Sequence, residues 1–253
     1  MDKKLKTIAL IPARYAATRF PGKLMCLLGE KTVIRHTYES ALATELFDDV
    51  IVVTDSDIIR KEIMACGGKT MMSLKEHACG SDRIAEAAEQ FPDVDIIVNV
   101  QGDEPFLERA PLKKLLAVFS DTGGESIDLA SLMQRIEGAE QIDNPNVVKV
   151  VVDQNNIALL FSRSRIPYPR DPQGVVFYRH IGVYAFRRPA LIDFYHTPMT
   201  PLEKAEKIEC LRYLERGKKI KMVEVPCMGI GIDTPQDLID AEAYLRQAKK
   251  AMI

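Results

Sequence analysis

Cysteine is scarce and scattered. The chain has five, Cys26, Cys66, Cys79, Cys210 and Cys227, an odd number with no C-x-x-C pair. That excludes a disulfide framework and a zinc site and leaves reduced thiols. Long apolar runs are lacking too, since none approaches the roughly 18 residues of a membrane-spanning helix. The opening Met1-Asp2-Lys3-Lys4 leads into a short apolar stretch without a small-residue cleavage site, so a cytoplasmic protein without membrane insertion is expected. Neither sign of charge dominates: 34 Lys+Arg stand against 36 Asp+Glu, a net charge of −2, and the pI is about 6.1. Nucleic-acid-binding domains usually have a pI above about 9, so no nucleic-acid partner is expected.

What is present is the composition of a folded, water-soluble chain: 253 residues, 47% apolar and 28% charged. That length suits one large domain or two small ones. In the first half, short β-rich runs (Thr7 to Ile11, Val50 to Thr54, Thr70 to Ser73, Asp95 to Val100) alternate with amphipathic stretches at Thr32 to Ala43, Asp57 to Cys66, Ser81 to Gln90 and Pro111 to Phe119. The alternation predicts a parallel sheet covered by helices. From Asp128 the rhythm changes to strands without long helices between them: Leu129 to Arg135, Val147 to Val152, Ile157 to Phe161 and His180 to Phe186, with a turn at Asp153-Gln154-Asn155-Asn156. This predicts an inserted antiparallel subdomain. A helix over 201–216 is expected from Ala205, Ile208, Leu211 and Leu214 on one face and a stop at Gly217. A strand (Ile220 to Val225) and a last helix (Pro235 to Ala248) follow, and no internal repeat is found.

Three loops could carry chemistry. After the first strand, Arg14, Arg19 and Lys23 fall within ten residues of loop, at the strand end where open α/β sheets bind ligands. Such cations suit a triphosphate, although a solvated basic loop has the same spacing. Gly22-Lys23 is followed by Leu24 and lacks the upstream Gly of a Walker A loop. The second loop, Gln101-Gly102-Asp103-Glu104-Pro105, follows the most apolar strand and could hold Mg²⁺ against phosphate or simply form a turn. In the third, Gly229-Ile230-Gly231-Ile232-Asp233-Thr234-Pro235, Thr234 stands where a dinucleotide fingerprint requires its third Gly. Thr234 can cap the last helix, and Asp233 taken alone reads as part of that cap.

In combination these segments resemble a known family. Ile11-Pro12-Ala13-Arg14, Arg19-Phe20-Pro21-Gly22-Lys23, Gly80-Ser81-Asp82-Arg83, Val98-Asn99-Val100-Gln101-Gly102-Asp103-Glu104-Pro105, Pro145-Asn146-Val147-Val148-Lys149, Phe161-Ser162-Arg163, Arg179-His180-Ile181-Gly182 and Asp233-Thr234-Pro235 are similar, in order, to the 3-deoxy-manno-octulosonate (Kdo) cytidylyltransferases of lipopolysaccharide synthesis. The resemblance implies an α/β fold: a Rossmann-like, mostly parallel nucleotidyltransferase sheet with an inserted antiparallel lid and dimerisation subdomain. On that reading residues 1–127 and 187–253 form the nucleotide-binding core and 128–186 the insertion. It also implies a homodimer and attack of the Kdo anomeric hydroxyl on the α-phosphorus of CTP, giving CMP-Kdo and pyrophosphate with Mg²⁺. Arg14, Arg19 and Lys23 would hold the triphosphate, Asp103 and Asp233 the metal, Ser81 and Arg83 the nucleoside, and Gln101, His180, Tyr184 and Glu209 the sugar acid.

Some positions depart from the family pattern. Cys210 stands where Gln is usual, Ser81 where Thr is usual, Cys79 where a small residue is usual, and Ser164-Arg165 where many members have Ala-Pro. Arg165 could be a substrate contact, an interface residue or a solvated charge. The same chemistry on 8-amino-3,8-dideoxy-octulosonate, a nucleotide-sugar-dependent glycosyltransferase and a silent nucleotide-binding homologue are the competing readings.

Overall fold

The computed structural model describes residues 4–16, 20–77, 79–171, 173–226 and 229–251, the last four without side chains. Arg19 and Cys227 therefore lie outside the described residues. In chain order the first elements are β1 (Thr7–Ala13), β2 (Leu27–Leu28), β3 (Lys31–Thr32), α1 (Val33–Ala43), β4 (Asp49–Thr54), α2 (Asp57–Ala65), β5 (Lys69–Met72), α3 (Gly80–Ala88), β6 (Ile96–Asn99) and α4 (Arg109–Ala117). Then come β7 (Leu129–Arg135), α5 (Ala139–Asp143), β8 (Lys149–Val152), β9 (Ala158–Ser162), β10 (Tyr178–Arg187), α6 (Arg188–His196), α7 (Pro201–Glu206), α8 (Leu211–Glu215), β11 (Ile220–Glu224) and α9 (Pro235–Ala251). They form two compact units, residues 1–109 with 228–253, and residues 110–227.

The first unit is the predicted parallel α/β layer. β1 pairs in parallel with β4 on one side and β6 on the other, and β4 pairs with β5. All seven residues of β1 and all four of β6 are buried, as strands covered on both faces must be. The apolar side chains of β1, β4 and β6 (Ile8, Leu10, Ile11, Val52, Val53, Ile97, Val98) make the core with Ile34 of α1, Ile59 and Ile63 of α2 and Ile84 of α3. The register sets Ala13 beside Thr54 and Leu10 beside Asn99, so β1, β4 and β6 all deliver their next residues to the same sheet edge, the carboxyl end.

In the second unit β10 runs antiparallel to β7 and β8, β8 antiparallel to β9, and β11 parallel to β7. The strand-rich insertion is thus present, and it holds more chain than the sequence rhythm suggests. Segments 110–127 and 187–227 pack in this unit because β7 carries β10 on one edge and β11 on the other.

The helix expected over 201–216 is two short ones. α7 ends at Glu206, the next residue Lys207 adopts left-handed φ of 55°, and α8 begins at Leu211. The break folds Arg212 back onto Glu203 through two hydrogen bonds of 2.7 and 2.6 Å, both side chains being buried. Arg212 also donates to the carbonyls of Phe194 and Thr197 and lies over the Phe194 ring at 3.9 Å. A continuous helix would spread this hub apart.

Candidate functional site

The carboxyl end of the first unit's sheet gathers the predicted loops. Gly22, with φ of 69°, turns the chain so that its N–H reaches the Tyr15 carbonyl at 3.1 Å, and Lys23 follows into the site. Past β6, Gly102 passes close under β1, where a Cβ would lie 3.0 Å from the Pro12 carbonyl oxygen. Its own carbonyl accepts from Thr37 of α1 at 2.8 Å. These constraints fix Asp103.

The third loop is set by close packing. A Cβ at Gly229 would sit 2.4 Å from Phe106 Cβ, and one at Gly231 2.8 Å from Glu104 Oε1. The two glycines that superficially suggest a dinucleotide loop instead let this strand of chain run against residues 104–106. The Ile232 N–H then donates to the Asp103 carbonyl at 2.9 Å. Thr234 and Asp237 cap α9 reciprocally, the Thr234 N–H donating to Asp237 Oδ2 at 2.7 Å and the Asp237 N–H to Thr234 Oγ1 at 3.2 Å. With the cap supplied by others, the Asp233 carboxylate turns to the site.

The result is a three-residue cluster. The Lys23 ammonium donates to Asp103 Oδ2 and, at 2.9 Å, to Asp233 Oδ1. Burial pulls the Lys23 pKa down, yet attraction to Asp103 and then Asp233 outweighs it, so the group titrates above the usual lysine value. Residues from three distant segments thus meet at one nitrogen. Among the described residues no group of three His, Cys, Asp or Glu side chains gathers for a metal. Two convergent carboxylates nevertheless suit Mg²⁺, which takes one or two protein carboxylates together with phosphate and water oxygens.

The first unit also holds a cavity of about 490 Å³ lined by Arg14, Tyr15, Asp55, His77 and Arg83 among others. Arg14 is exposed there. Arg83 is buried, donating to Asp55 Oδ2 at 2.6 Å and to Ser73, so its charge is already matched. Glu86, one turn along α3, accepts from the Leu74 N–H at 2.8 Å and contacts His77 Nε2 at 3.1 Å. Ser81 is buried at the start of α3, where Asn99 Nδ2 donates to its Oγ at 3.3 Å. Sequence reasoning missed Asp55 and His77, and read Glu86 only as part of the helix and motif that begin at Gly80-Ser81. Asp55 had a usable signal, since it directly follows β4 at the same sheet edge.

The expected sugar residues divide between the units. Gln101 belongs to the first, where its Nε2 donates to Asn99 Oδ1 at 3.3 Å. His180, Tyr184 and Glu209 belong to the second. There the His180 ring lies 5.2 Å from Tyr184 and 5.0 Å from Phe161, and its Nε2 is 2.9 Å from Ser131 Oγ. Burial pushes its pKa down to about 4, so the ring is neutral near pH 7. Glu209 is half-buried beside Cys210, whose buried thiol is held protonated by desolvation. Arg165 is tied within its own unit, 3.6 Å from Asp143 and 5.3 Å above the Phe177 ring.

A parallel sheet with a lysine and paired carboxylates at its carboxyl end defines a phosphate-handling α/β enzyme. The family model described as cytidylyltransferase matches residues 8–220. A 3-deoxy-manno-octulosonate cytidylyltransferase of Flavobacterium johnsoniae is 62% identical over 243 residues, covering 96% of this chain and 99% of the relative. That of Christiangramia forsetii is 58% identical over 243 residues, covering 96% and 98%. A solved CMP:2-keto-3-deoxy-manno-octonic acid synthetase complexed with CTP is 36% identical, with a TM-score of 0.90 over 96% of this chain and 99% of that one. The chain belongs to the 3-deoxy-manno-octulosonate cytidylyltransferase family and is a nucleotidyltransferase. A 4-diphosphocytidyl-2C-methyl-D-erythritol synthase of Anaerococcus prevotii, 17% identical with a TM-score of 0.61, shares the fold alone. No described helix is long and apolar enough to cross a membrane.

Proposed function

We propose that the chain transfers CMP from CTP to 3-deoxy-D-manno-octulosonate, releasing pyrophosphate and supplying lipopolysaccharide synthesis in the cytoplasm. The observation that carries this reading is the meeting of Asp103 and Asp233 at the Lys23 ammonium. In-line attack on an α-phosphorus needs positioning and charge neutralisation and little covalent chemistry. Lys23 and Arg14 supply the cations for the triphosphate, with Lys23 serving the pyrophosphate as its charge grows in the transition state. Arg19 joins them on the strength of the family motif. A Mg²⁺ ion held by Asp103 and Asp233 would lower the pKa of the attacking hydroxyl and screen the sugar carboxylate from the phosphate. Ser81 and Arg83 stand on the nucleoside side. Arg83, buried against Asp55, shapes that wall. Gln101, His180, Tyr184 and Glu209 take the sugar acid, His180 as a neutral hydrogen-bonding ring.

In this reading residues 128–186, within the second unit, supply the lid and the dimerisation surface, and the protein works as a homodimer. Exposed Leu159, Leu160 and Val176 of the second unit support a second copy as the partner. The test is pyrophosphate release from CTP and the sugar acid under saturating Mg²⁺, with UTP and sugar-free controls. Release that needs both CTP and the sugar acid is expected. Absence of release with any 3-deoxy-octulosonate would overturn the reading.

A further inference from the structure

Asn99 is the one amide in the Ile96–Asn99 strand and is completely buried. Its neighbours Ile96, Ile97 and Val98 show that the position accepts apolar side chains on either face. Burying a primary amide there is costly unless it is hydrogen-bonded. Its two side-chain bonds run in opposite directions. Nδ2 donates to Ser81 Oγ of α3, and Oδ1 accepts from Gln101 Nε2, each at 3.3 Å. Gln101 lies two residues beyond Asn99, just past the end of the strand, and the hydrogen bond joins the two amides there.

We propose that Asn99 is a positioning residue that joins the nucleotide side of the site to the sugar side, fixing Ser81 and Gln101 in complementary orientations. This rests on the reading that Ser81 serves CTP and Gln101 the sugar acid. The bonds set place: the Asn99 amide N–H goes to Ser81 and its carbonyl accepts from Gln101, whose Oε1 turns the other way. That oxygen lies over Gly80, where a Cβ would come within 3.6 Å of it and 3.2 Å of Pro12 Cγ. Gly80, Asn99 and Gln101 together thus hold the Gln101 side chain in one place, a position a substrate hydroxyl would sense.

The experiment is steady-state kinetics with both substrates varied on N99L, S81A, Q101A and the N99L/Q101A pair, each checked for folding by circular dichroism. N99L is expected to raise the KM for CTP and for the sugar acid by about 5- to 30-fold each, the effect of losing one hydrogen bond's worth of placement per substrate. N99L/Q101A is expected to bind the sugar acid no worse than Q101A alone, since Asn99 acts there through Gln101. Should N99L fail to fold, N99S, too short to reach both partners, carries the same expectations. Unchanged KM values in a folded Asn99 variant, a loss confined to thermal stability, or fully additive effects in the pair would overturn the proposal. Normal KM values in both S81A and Q101A would instead overturn the substrate assignment beneath it.

Discussion

At the scale of single residues, the cluster of Lys23, Asp103 and Asp233 invites direct tests. Asp103→Asn and Asp233→Asn should each lower kcat by about 100- to 1,000-fold, the usual effect of one lost transition-state contact, with circular dichroism unchanged. Lys23→Ala should act mainly on kcat rather than KM, because the leaving group's charge develops during the reaction. His180 predicts a stability effect with a definite sign. Its folded pKa of about 4 lies below the ordinary 6.5, so its contribution is intact above pH 6.5 and lost as pH falls toward 4. The urea midpoint should therefore fall less between about pH 7.5 and pH 4.5 in His180→Gln than in the parent chain. That the Lys23 and Asp103 loops share one sheet edge was legible, because each directly follows a buried strand, whereas their meeting with Asp233 was implied only by the family resemblance. Asp233 was harder. Residue by residue it read as a helix cap, and only the Thr234–Asp237 exchange explains why its carboxylate is available. The buried pairing of Arg83 with Asp55 was not legible, because it arises from a contact that local spacing does not encode.

At the scale of elements, the buried Glu203–Arg212 pair makes the sharpest prediction. Arg212→Met leaves an uncompensated buried carboxylate and should cost about 3–5 kcal/mol in urea unfolding, whereas replacing both partners with apolar residues should restore much of it. Thr234→Ala should cost about 1 kcal/mol through the lost cap of α9. The parallel strands were readable because burial on both faces demands near-continuous apolar runs. The turn at 153–156 was readable too, with Asn156 at φ of 56° and the Asn155 N–H on Asp153 Oδ1. The α7–α8 break was not, since Ala205, Ile208, Leu211 and Leu214 keep helical spacing across a hinge that a long-range ion pair imposes. α6 was also missed. It is short, opens with Pro189 in its first turn and buries only Ala190, Leu191 and Phe194, too few positions to establish a period.

At the scale of the whole molecule, the proposed homodimer predicts sedimentation near twice the 28.4 kDa chain mass. Charged substitutions at Leu159 and Leu160 should shift the protein toward monomer, and a monomer in the parent chain at working concentration would count against that assignment. The first unit is assembled from both ends of the chain, residues 1–109 and 228–253, and one of its paired carboxylates comes from each. A ribosome therefore has to deliver the whole intervening unit after Asp103 before the second carboxylate can join the first. Any prematurely terminated product that stops inside the intervening unit lacks Asp233, and on the proposed role of that carboxylate such fragments should leave the cell's CTP unspent.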